Sequence, residues 1–278
     1  MVYDNKSAQN FIDYAVAVNT DRSIPSAIDG LKPVARRILW GAYTTKRLSS
    51  KPHVKWARLV GDVMGTYHPH GDTSIYDAGI RLSQDWVMRY PLMDTHGNNG
   101  NIIGDGAAAM RYTEGRLAVL SEKGLLQTVN ESSEFIPNYD ETSKEPTALP
   151  SVFPNLLCNP NYGIGVALGC HWLPHNLREV AETIKTYVTT GEVVPMMPDF
   201  PTGGIIINKD ELPAIVKAGR GSVKVRGTYE IKKDTITFTS IPYEQSVESI
   251  MTELGLVCGG DNPKVVGVSE VYDITDKK

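Results

Sequence analysis

Residues 55–82, KWARLVGDVMGTYHPHGDTSIYDAGIRL, decide how the first half of this chain folds. Lys55 to Met64 reads as a helix, with Ala57, Val60 and Met64 at helical spacing, ended at Gly65. Tyr67-His-Pro-His-Gly71 is too short and too rich in turn formers to be anything but a compact loop. Asp72 or Thr73 then offers an N-cap to a second helix on which Ile75, Gly79 and Leu82 share a face. Two helices joined by a tight Gly/Pro turn fit a helix-turn-helix layout. Upstream, Pro33 suits a first helical turn, because its missing N–H is not needed there. Val34, Ile38 and Leu39 then mark an apolar stripe, beside which stand Arg36, Arg37 and Trp40. Downstream, residues 94–106 are dense in Gly, Asn and Asp and read as a loop leading through three alanines into Met110-Arg-Tyr-Thr-Glu114. From about Pro146 the texture changes. Prolines become frequent, and β-branched runs (204–207, 222–226, 235–239) alternate with helical stretches at 177–189 and 210–218. The chain is therefore expected to be α+β, with a helix-rich first domain and a mixed second one.

The 278 residues, 41% apolar and 22% charged, match one large or two modest globular domains. No apolar run approaches the ~20 residues of a membrane span, and the polar stretch Met1 to Gln9 lacks the apolar core of a signal peptide. Three cysteines, Cys158, Cys170 and Cys258, lie far apart without a Cys-x-x-Cys pair, which points away from a disulfide framework or a structural zinc site. A reducing cytoplasm is the expected compartment. The net charge of −4 hides an asymmetry. Between Leu31 and Gly61 stand eight basic residues, Lys32, Arg36, Arg37, Lys46, Arg47, Lys51, Lys55 and Arg58, and not one acid. Such a local field either binds phosphates or is balanced by acids from elsewhere in the fold, where Glu131, Glu134, Asp140, Glu141 and Glu145 are available.

Several patterns compete for a chemical reading. Gly104-x-Gly106-x-x-Ala109 and Gly163-x-Gly165 imitate a dinucleotide fingerprint, but neither follows a buried strand within a βαβ unit. The run from Gly219 to Lys224 lacks the Gly-Lys-Ser/Thr ending of a phosphate loop, so no ATP site is expected in this chain. His68-x-His70 is a possible metal pair without evident further ligands, a pair of loop hydrogen-bonders, or a pair of donors to phosphate. Arg111-Tyr112 sets a guanidinium beside a phenol, which can stabilise a phenolate or a pentavalent phosphate. Thirteen tyrosines in the chain make the dipeptide alone a modest signal.

Larger blocks are more specific. Ile24 to Leu39 (IPSAIDGLKPVARRIL), Ala57 to Asp72 (ARLVGDVMGTYHPHGD), and Gly97-Asn-Asn-Gly followed by Gly104 to Glu114 (GDGAAAMRYTE) resemble, in order, the breakage-reunion region of type IIA DNA topoisomerases. The likeness is to the branch of the A-type subunits of bacterial gyrase and topoisomerase IV. Pro154-Asn-Leu-Leu, Gly163-Ile-Gly-Val-Ala, Pro174-His-Asn-Leu-Arg-Glu-Val, Pro198-Asp-Phe-Pro-Thr, Gly219-Arg-Gly-Ser-Val and Ile241-Pro-Tyr continue the series to about residue 245. Asp94-Thr-His-Gly stands where the family more often has Asp-Gly-Gln-Gly, and Asn159-Pro-Asn-Tyr precedes Ile164, departures that touch loop geometry rather than chemistry.

The resemblance implies an N-terminal arm (1–19), a winged-helix DNA-binding domain (20–147) and part of an α/β tower domain (148–278). It implies that Tyr112 attacks a DNA phosphodiester and holds the 5′-phosphate covalently, and that Arg111 stabilises charge in the transition state. Arg22, Lys32, Arg37, His68 and His70 match family positions that hold the DNA backbone, and Arg58 of the basic stretch joins them as a DNA-binding candidate. Ile164 matches the apolar residue that wedges between base pairs and bends the duplex. Thr73 and Asp77 match the positions that anchor quinolone drugs, with Thr73 where serine is commoner. The resemblance further implies double-stranded DNA as substrate, a homodimer in the full enzyme, and a gyrase-B-like partner that binds Mg²⁺ and ATP. It implies no membrane contact. The family continues past the tower into a coiled coil, a lower dimer gate and, in gyrase, a DNA-wrapping domain, so strand passage is expected to need more than these 278 residues. The competing expectation is a non-catalytic decoy that occupies DNA or the B-like partner.

Overall fold

The computed structural model describes residues 5–259 and 263–275, so the first four residues of the expected arm and the last three of the chain lie outside it. The chain forms two compact units, one of residues 1–99 with 108–199 and one of residues 100–107 with 200–278. It is α+β throughout, and every strand pair among the described residues is antiparallel.

The first unit begins with α1 (Asn5–Val18) and a π-helical turn, Asn19–Ser23. Helix α2 (Pro33–Thr44) starts on its proline as expected and buries Ile38 and Leu39. Strand β1 (Val54–Lys55) runs straight into α3 (Trp56–Thr66), and the 67–71 loop leads to α4 (Asp72–Arg81). Two expectations are corrected here. The buried face of α3 is Trp56, Leu59, Val60 and Val63, whereas Ala57 and Met64 are exposed. Trp56, the largest side chain on the helix, sets the phase. The cap of α4 is Gly71, and Asp72 turns back to accept from the N–H and the hydroxyl of Thr73. The inward face of α4, with Ile75, Gly79 and the following Leu82, is as read from spacing.

Strands β2 (Met93–His96) and β3 (Glu114–Leu117) complete a three-stranded sheet in the order β1-β3-β2. Asp94 to His96 is thus strand, not loop: β3 supplies the ladder that a polar sequence could not announce. Trp56 is wholly buried between this sheet and α4. Its indole fits because Gly79 and Gly115 present no side chain, and a Cβ at either position would collide with the ring. Burial of a residue of this class is worth about 1.5–3 kcal/mol, so the register of α3, α4 and β3 is fixed from the inside.

Short helices α5 (Val119–Ser121) and α6 (Val129–Ser132) flank a second π-helical turn, Glu122–Leu126, before the hairpin of β4 (Phe135–Pro137) and β5 (Lys144–Pro146). After α7 (Asn155–Cys158), a hairpin of β6 (Asn161–Ile164) and β7 (Gly169–Trp172) leads to α8 (Leu177–Thr190). Asp29 is the buried latch of this unit. Its carboxylate receives two bonds from Arg36, at 2.7 and 3.0 Å, and the N–H groups of Leu31 and Leu149. A fully buried charge is tolerable only with such complete pairing.

The second unit contains β8 (Ile205–Ile206), a 3₁₀ turn at Lys209–Glu211, α9 (Leu212–Ala218), β9 (Val225–Arg226), the hairpin of β10 (Tyr229–Lys232) and β11 (Thr235–Phe238), and α10 (Val247–Cys258). The helix expected from Asp210 therefore begins at Leu212, and the 222–226 run is strand only at its end. Helix α10 carries a capping box between Ser246 and Ser249, and its first N–H groups donate to the carbonyls of Ile102 and Ile103. Those bonds place the 100–107 loop in this unit. The Gly104 pattern thus lies in a loop and opens no helix of a βαβ unit.

Candidate functional site

Tyr112 sits on a segment clamped by its backbone. Helix α3 opens without a side-chain cap, so its first N–H groups need partners from elsewhere. Trp56 N–H donates to Thr113 O at 3.0 Å and Ala57 N–H to Met110 O at 3.1 Å. From α4, the buried Tyr76 hydroxyl donates to Ala108 O at 2.5 Å. Its single proton being so used, the hydroxyl of the fully buried Thr113 donates back to it at 2.6 Å. Lys55 Nζ reaches Tyr112 O at 3.3 Å while pairing with Glu114 at 3.0 Å, and that hydrogen bond holds the Glu114 carboxyl below its usual range. With the main chain tied on both sides, the Tyr112 side chain projects outward, 62% exposed, under the Arg111 guanidinium at 4.6 Å from the ring centre. A phenol presented to solvent beside a permanent cation is open to an anionic group from outside.

A second group surrounds His68. Arg37 bonds Glu145 with two prongs, at 2.7 and 2.8 Å, and offers Nη1 to His68 Nδ1 at 3.0 Å. A guanidinium only donates, so Nδ1 is the acceptor and the imidazole proton resides on Nε2. Burial, then the charges of Arg37, His70 and Arg22, push the His68 pKa down to about 4. His68 is therefore neutral near pH 7, with an N–H to donate. The His70 ring packs edge-on against it at 4.5 Å, and His70 N–H donates to His68 O. Arg22 is exposed on the π-helical turn.

The β6–β7 hairpin lies on that same turn. Asn19 grips the hairpin loop, accepting from Val166 N–H at 2.8 Å and donating to Val166 O at 3.1 Å. Gly163 and Gly165 explain themselves here: a Cβ on the first would strike Ser23 O, and on the second the Asn19 carboxamide. The glycine pair is a close-packing device, not a nucleotide fingerprint. The hairpin leaves Ile164 70% exposed. Lys32 Nζ donates to the neighbouring Tyr162 O at 2.6 Å, and burial lowers its pKa.

Thr73 and Asp77, one turn apart, share the exposed face of α4, and Arg58 is exposed on the first turn of α3 next to Ala57. The basic stretch divides. Among the described residues, Arg36, Arg37, Arg47 and Lys55 are held in ion pairs with Asp29, Glu145, Asp62 and Glu114. The structure thus brings Arg22, Arg37, His68 and His70 together, joins Arg111 to Tyr112, and sets Lys32 beside the strand of Ile164. The histidine group and the Arg111–Tyr112 pair are held by separate sets of hydrogen bonds. Sequence reasoning missed Tyr76 and Thr113, whose only advance signal was a polar group on an otherwise inward-facing stretch, and it named Glu145 only as one of several acids that could balance the basic stretch, without its partner Arg37. Among the described residues no three His, Cys, Asp or Glu are grouped to hold a metal ion, and burial pushes the Cys158 thiol up to about 12.

A family model that describes the A subunits of DNA gyrase and topoisomerase IV matches residues 22–278. The chain is 42% identical over 280 residues to the DNA gyrase A subunit of Metamycoplasma arthritidis (strain 158L3-1), covering 96% of this chain and 31% of that protein. It is 42% identical over 276 residues to the DNA gyrase A subunit of Ureaplasma parvum serovar 3 (strain ATCC 700970), covering 95% and 33%. The same name and 42% identity, over 282 residues, describe the relative from Mycolicibacterium smegmatis (strain ATCC 700084 / mc(2)155), again with 95% and 33% covered. The chain thus spans about a third of the length of these relatives. The clamped Arg111-Tyr112 segment, the histidine turn and the seated hairpin all fall inside the matched region, and the chain belongs to the family of DNA gyrase/topoisomerase IV A subunits.

Proposed function

We propose that this chain carries the DNA breakage-reunion chemistry of a type IIA topoisomerase. The observation that supports it most directly is the outward phenol of Tyr112 beneath the Arg111 guanidinium, on a backbone fixed by α3 and Tyr76. In this reading the Tyr112 Oη–phosphorus bond forms as the bond from phosphorus to the deoxyribose 3′ oxygen breaks. The phenolic proton leaves, and the released 3′ oxygen gains one. The 5′-phosphate stays on the enzyme, so the reverse exchange reseals the strand without an external energy source. Arg111 offsets charge building on the phosphoryl oxygens. Neutral His68 donates from Nε2, and Arg22, Lys32, His70 and Arg58 hold backbone phosphates. Arg37, already bonded to Glu145, orients His68 at least as much as it attracts DNA. Ile164 is the wedge that opens a base step. Thr73 and Asp77 form the outer face on which a quinolone would anchor.

The first unit contains the winged-helix region and the second belongs to the tower. The working enzyme is a DNA-associated homodimer of the cytoplasm. In this reading Mg²⁺ and ATP are held by a gyrase-B-like partner. No described helix is long and apolar enough to cross a membrane.

The test is Tyr112→Phe, assayed with supercoiled DNA, Mg²⁺ and a gyrase-B-like partner. Covalent protein–DNA adducts should vanish while DNA affinity stays within about twofold, since phosphate contacts dominate affinity. Adducts that persist in the variant would end the assignment. Binding without adducts in the unsubstituted protein would favour the decoy.

A further inference from the structure

The hairpin that carries Ile164 presents more than one side chain on its outer face. In the β6–β7 register, Tyr162 pairs with His171 and Ile164 with Gly169. Directly opposed residues of an antiparallel pair point to the same side, and so do residues two apart on one strand. Tyr162, His171 and Ile164 therefore stand together, while the alternate residue Gly163 turns its other side to Ser23. Tyr162 is 50% exposed, His171 is exposed, and their rings pack edge-to-face at 5.3 Å. An exposed aromatic pair of this kind covers no core.

Three basic groups stand near it, with Asp21 the acid on the turn beneath. Lys32 donates to the carbonyl of Tyr162 itself, and the exposed Arg81 lies close enough to weigh on Lys32. Arg22 belongs to the turn on which the hairpin sits. Aromatic faces rimmed by Lys and Arg match the chemistry of nucleic acid, where sugars and bases offer apolar faces and phosphates the charge. The spacing agrees. Side chains two apart on a strand stand about 7 Å apart, the span of two base-pair steps of about 3.4 Å.

We propose that Tyr162 and His171 form a second DNA-contacting element, packing on the deoxyriboses and opened base faces within two steps of the point where Ile164 engages the duplex. This rests on the reading of Ile164 as a wedge and deepens it. The pair acts as a shoulder: once the wedge opens a step, the aromatic faces cover apolar DNA surface that water would otherwise meet. The contact is made by ring faces and is therefore independent of base sequence.

The full chain would be titrated onto a duplex of about 30 base pairs carrying a donor and an acceptor dye at its ends, so that affinity and bend are read together. Replacing both residues (Tyr162→Thr with His171→Thr) keeps strand propensity in the cross-strand pair. Affinity should fall about tenfold and the bent fraction should drop. The slope of affinity against salt should not change by a full counterion, because stacking releases none. Tyr162→Phe keeps the ring and should bind within about twofold of the unsubstituted protein. Ile164→Ala separates the two readings. If it lowers bending while the double threonine variant matches the unsubstituted protein, the shoulder is refuted and the wedge stands. If Ile164→Ala is silent while the threonine variant binds weakly, the wedge fails and the aromatic contact survives. Failure of Tyr162→Phe to bind, with a native unfolding profile, would also overturn the proposal.

Discussion

The Tyr112 segment and the His68 turn are built on opposite principles. Around Tyr112 the main chain is fixed, with Met110 and Thr113 carbonyls on the start of α3 and the Ala108 carbonyl on Tyr76, and the side chain is left outside. Around His68 the side chains themselves interlock: Arg37 ties Glu145 to His68, His68 packs on His70, and burial suppresses the imidazole charge. In the proposed reading Tyr112 forms and breaks a covalent bond, which needs freedom at its reacting atom and rigidity behind it. A group that, in the proposed reading, only donates to a phosphate can be fixed to its last atom. The difference predicts which perturbations act on chemistry and which on stability.

The largest effect after loss of the phenol itself is expected at Arg111. Its guanidinium touches Tyr112 through the ring face and holds no structural ion pair among the described residues. Arg111→Ala should slow adduct formation by about 10²–10³-fold, the usual loss for one preorganised charge-stabilising donor. Thermal stability should hardly move. Single-turnover cleavage with Mg²⁺ and the B-like partner checks the rate, and an unchanged rate would remove Arg111 from the mechanism.

Breaking the clamp instead of the charge sharpens the contrast. Tyr76→Phe keeps the ring packed on Trp56 at 6.0 Å but strips the hydroxyl from Ala108 O and Thr113 Oγ1. Cleavage should drop about 10- to 100-fold through misplacement of the phenol. DNA affinity should stay the same, since Tyr76 is buried and its hydroxyl is spent within the protein. Stability should fall by about 1–3 kcal/mol, because the buried Thr113 hydroxyl and the part-buried Ala108 carbonyl lose a partner. A stability loss with full cleavage would show that the segment needs no clamp.

How much of this was legible beforehand follows from the same physics. Helical periodicity with a proline start and a Gly/Pro turn located α2, α3 and α4 because those signals are local. The phase of α3 was misread because Trp56 is placed by Gly79 and Gly115, which lie 23 and 59 residues away in sequence. Strand β2 was invisible for a similar reason: Asp94-Thr-His96 owes its extension to β3 and not to its own composition. The named site residues were legible by resemblance, and their supports were not. No spacing rule connects Arg37 to Glu145 across 108 residues, or Tyr76 to Thr113 across 37. Half of the basic stretch is balanced by acids, as one of its two readings allowed, and that balance is likewise a tertiary fact.

The smallest effect belongs to the interlocked group and is read in stability. His68 titrates at about 4 in the folded chain against 6.5 for the free side chain, so between those values the unfolded chain binds the extra proton. Folding stability must then decline as pH falls from about 6.5, and this decline levels off below about 4. Arg37, His70 and Arg22 all face the imidazole with positive charge or the capacity for it, while Glu145 sits on the far prongs of Arg37. Since His68 is partly open to solvent, the full shift overstates the cost, and about 1–2 kcal/mol is expected between pH 7 and pH 4.5. Replacement by a residue that still accepts from Arg37 without taking a proton, His68→Asn, should cost stability at pH 7 and recover part of that difference at pH 4.5. Urea unfolding of both proteins at the two pH values measures it. Parallel loss in both would mean that the proton taken up on unfolding belongs to a group other than His68.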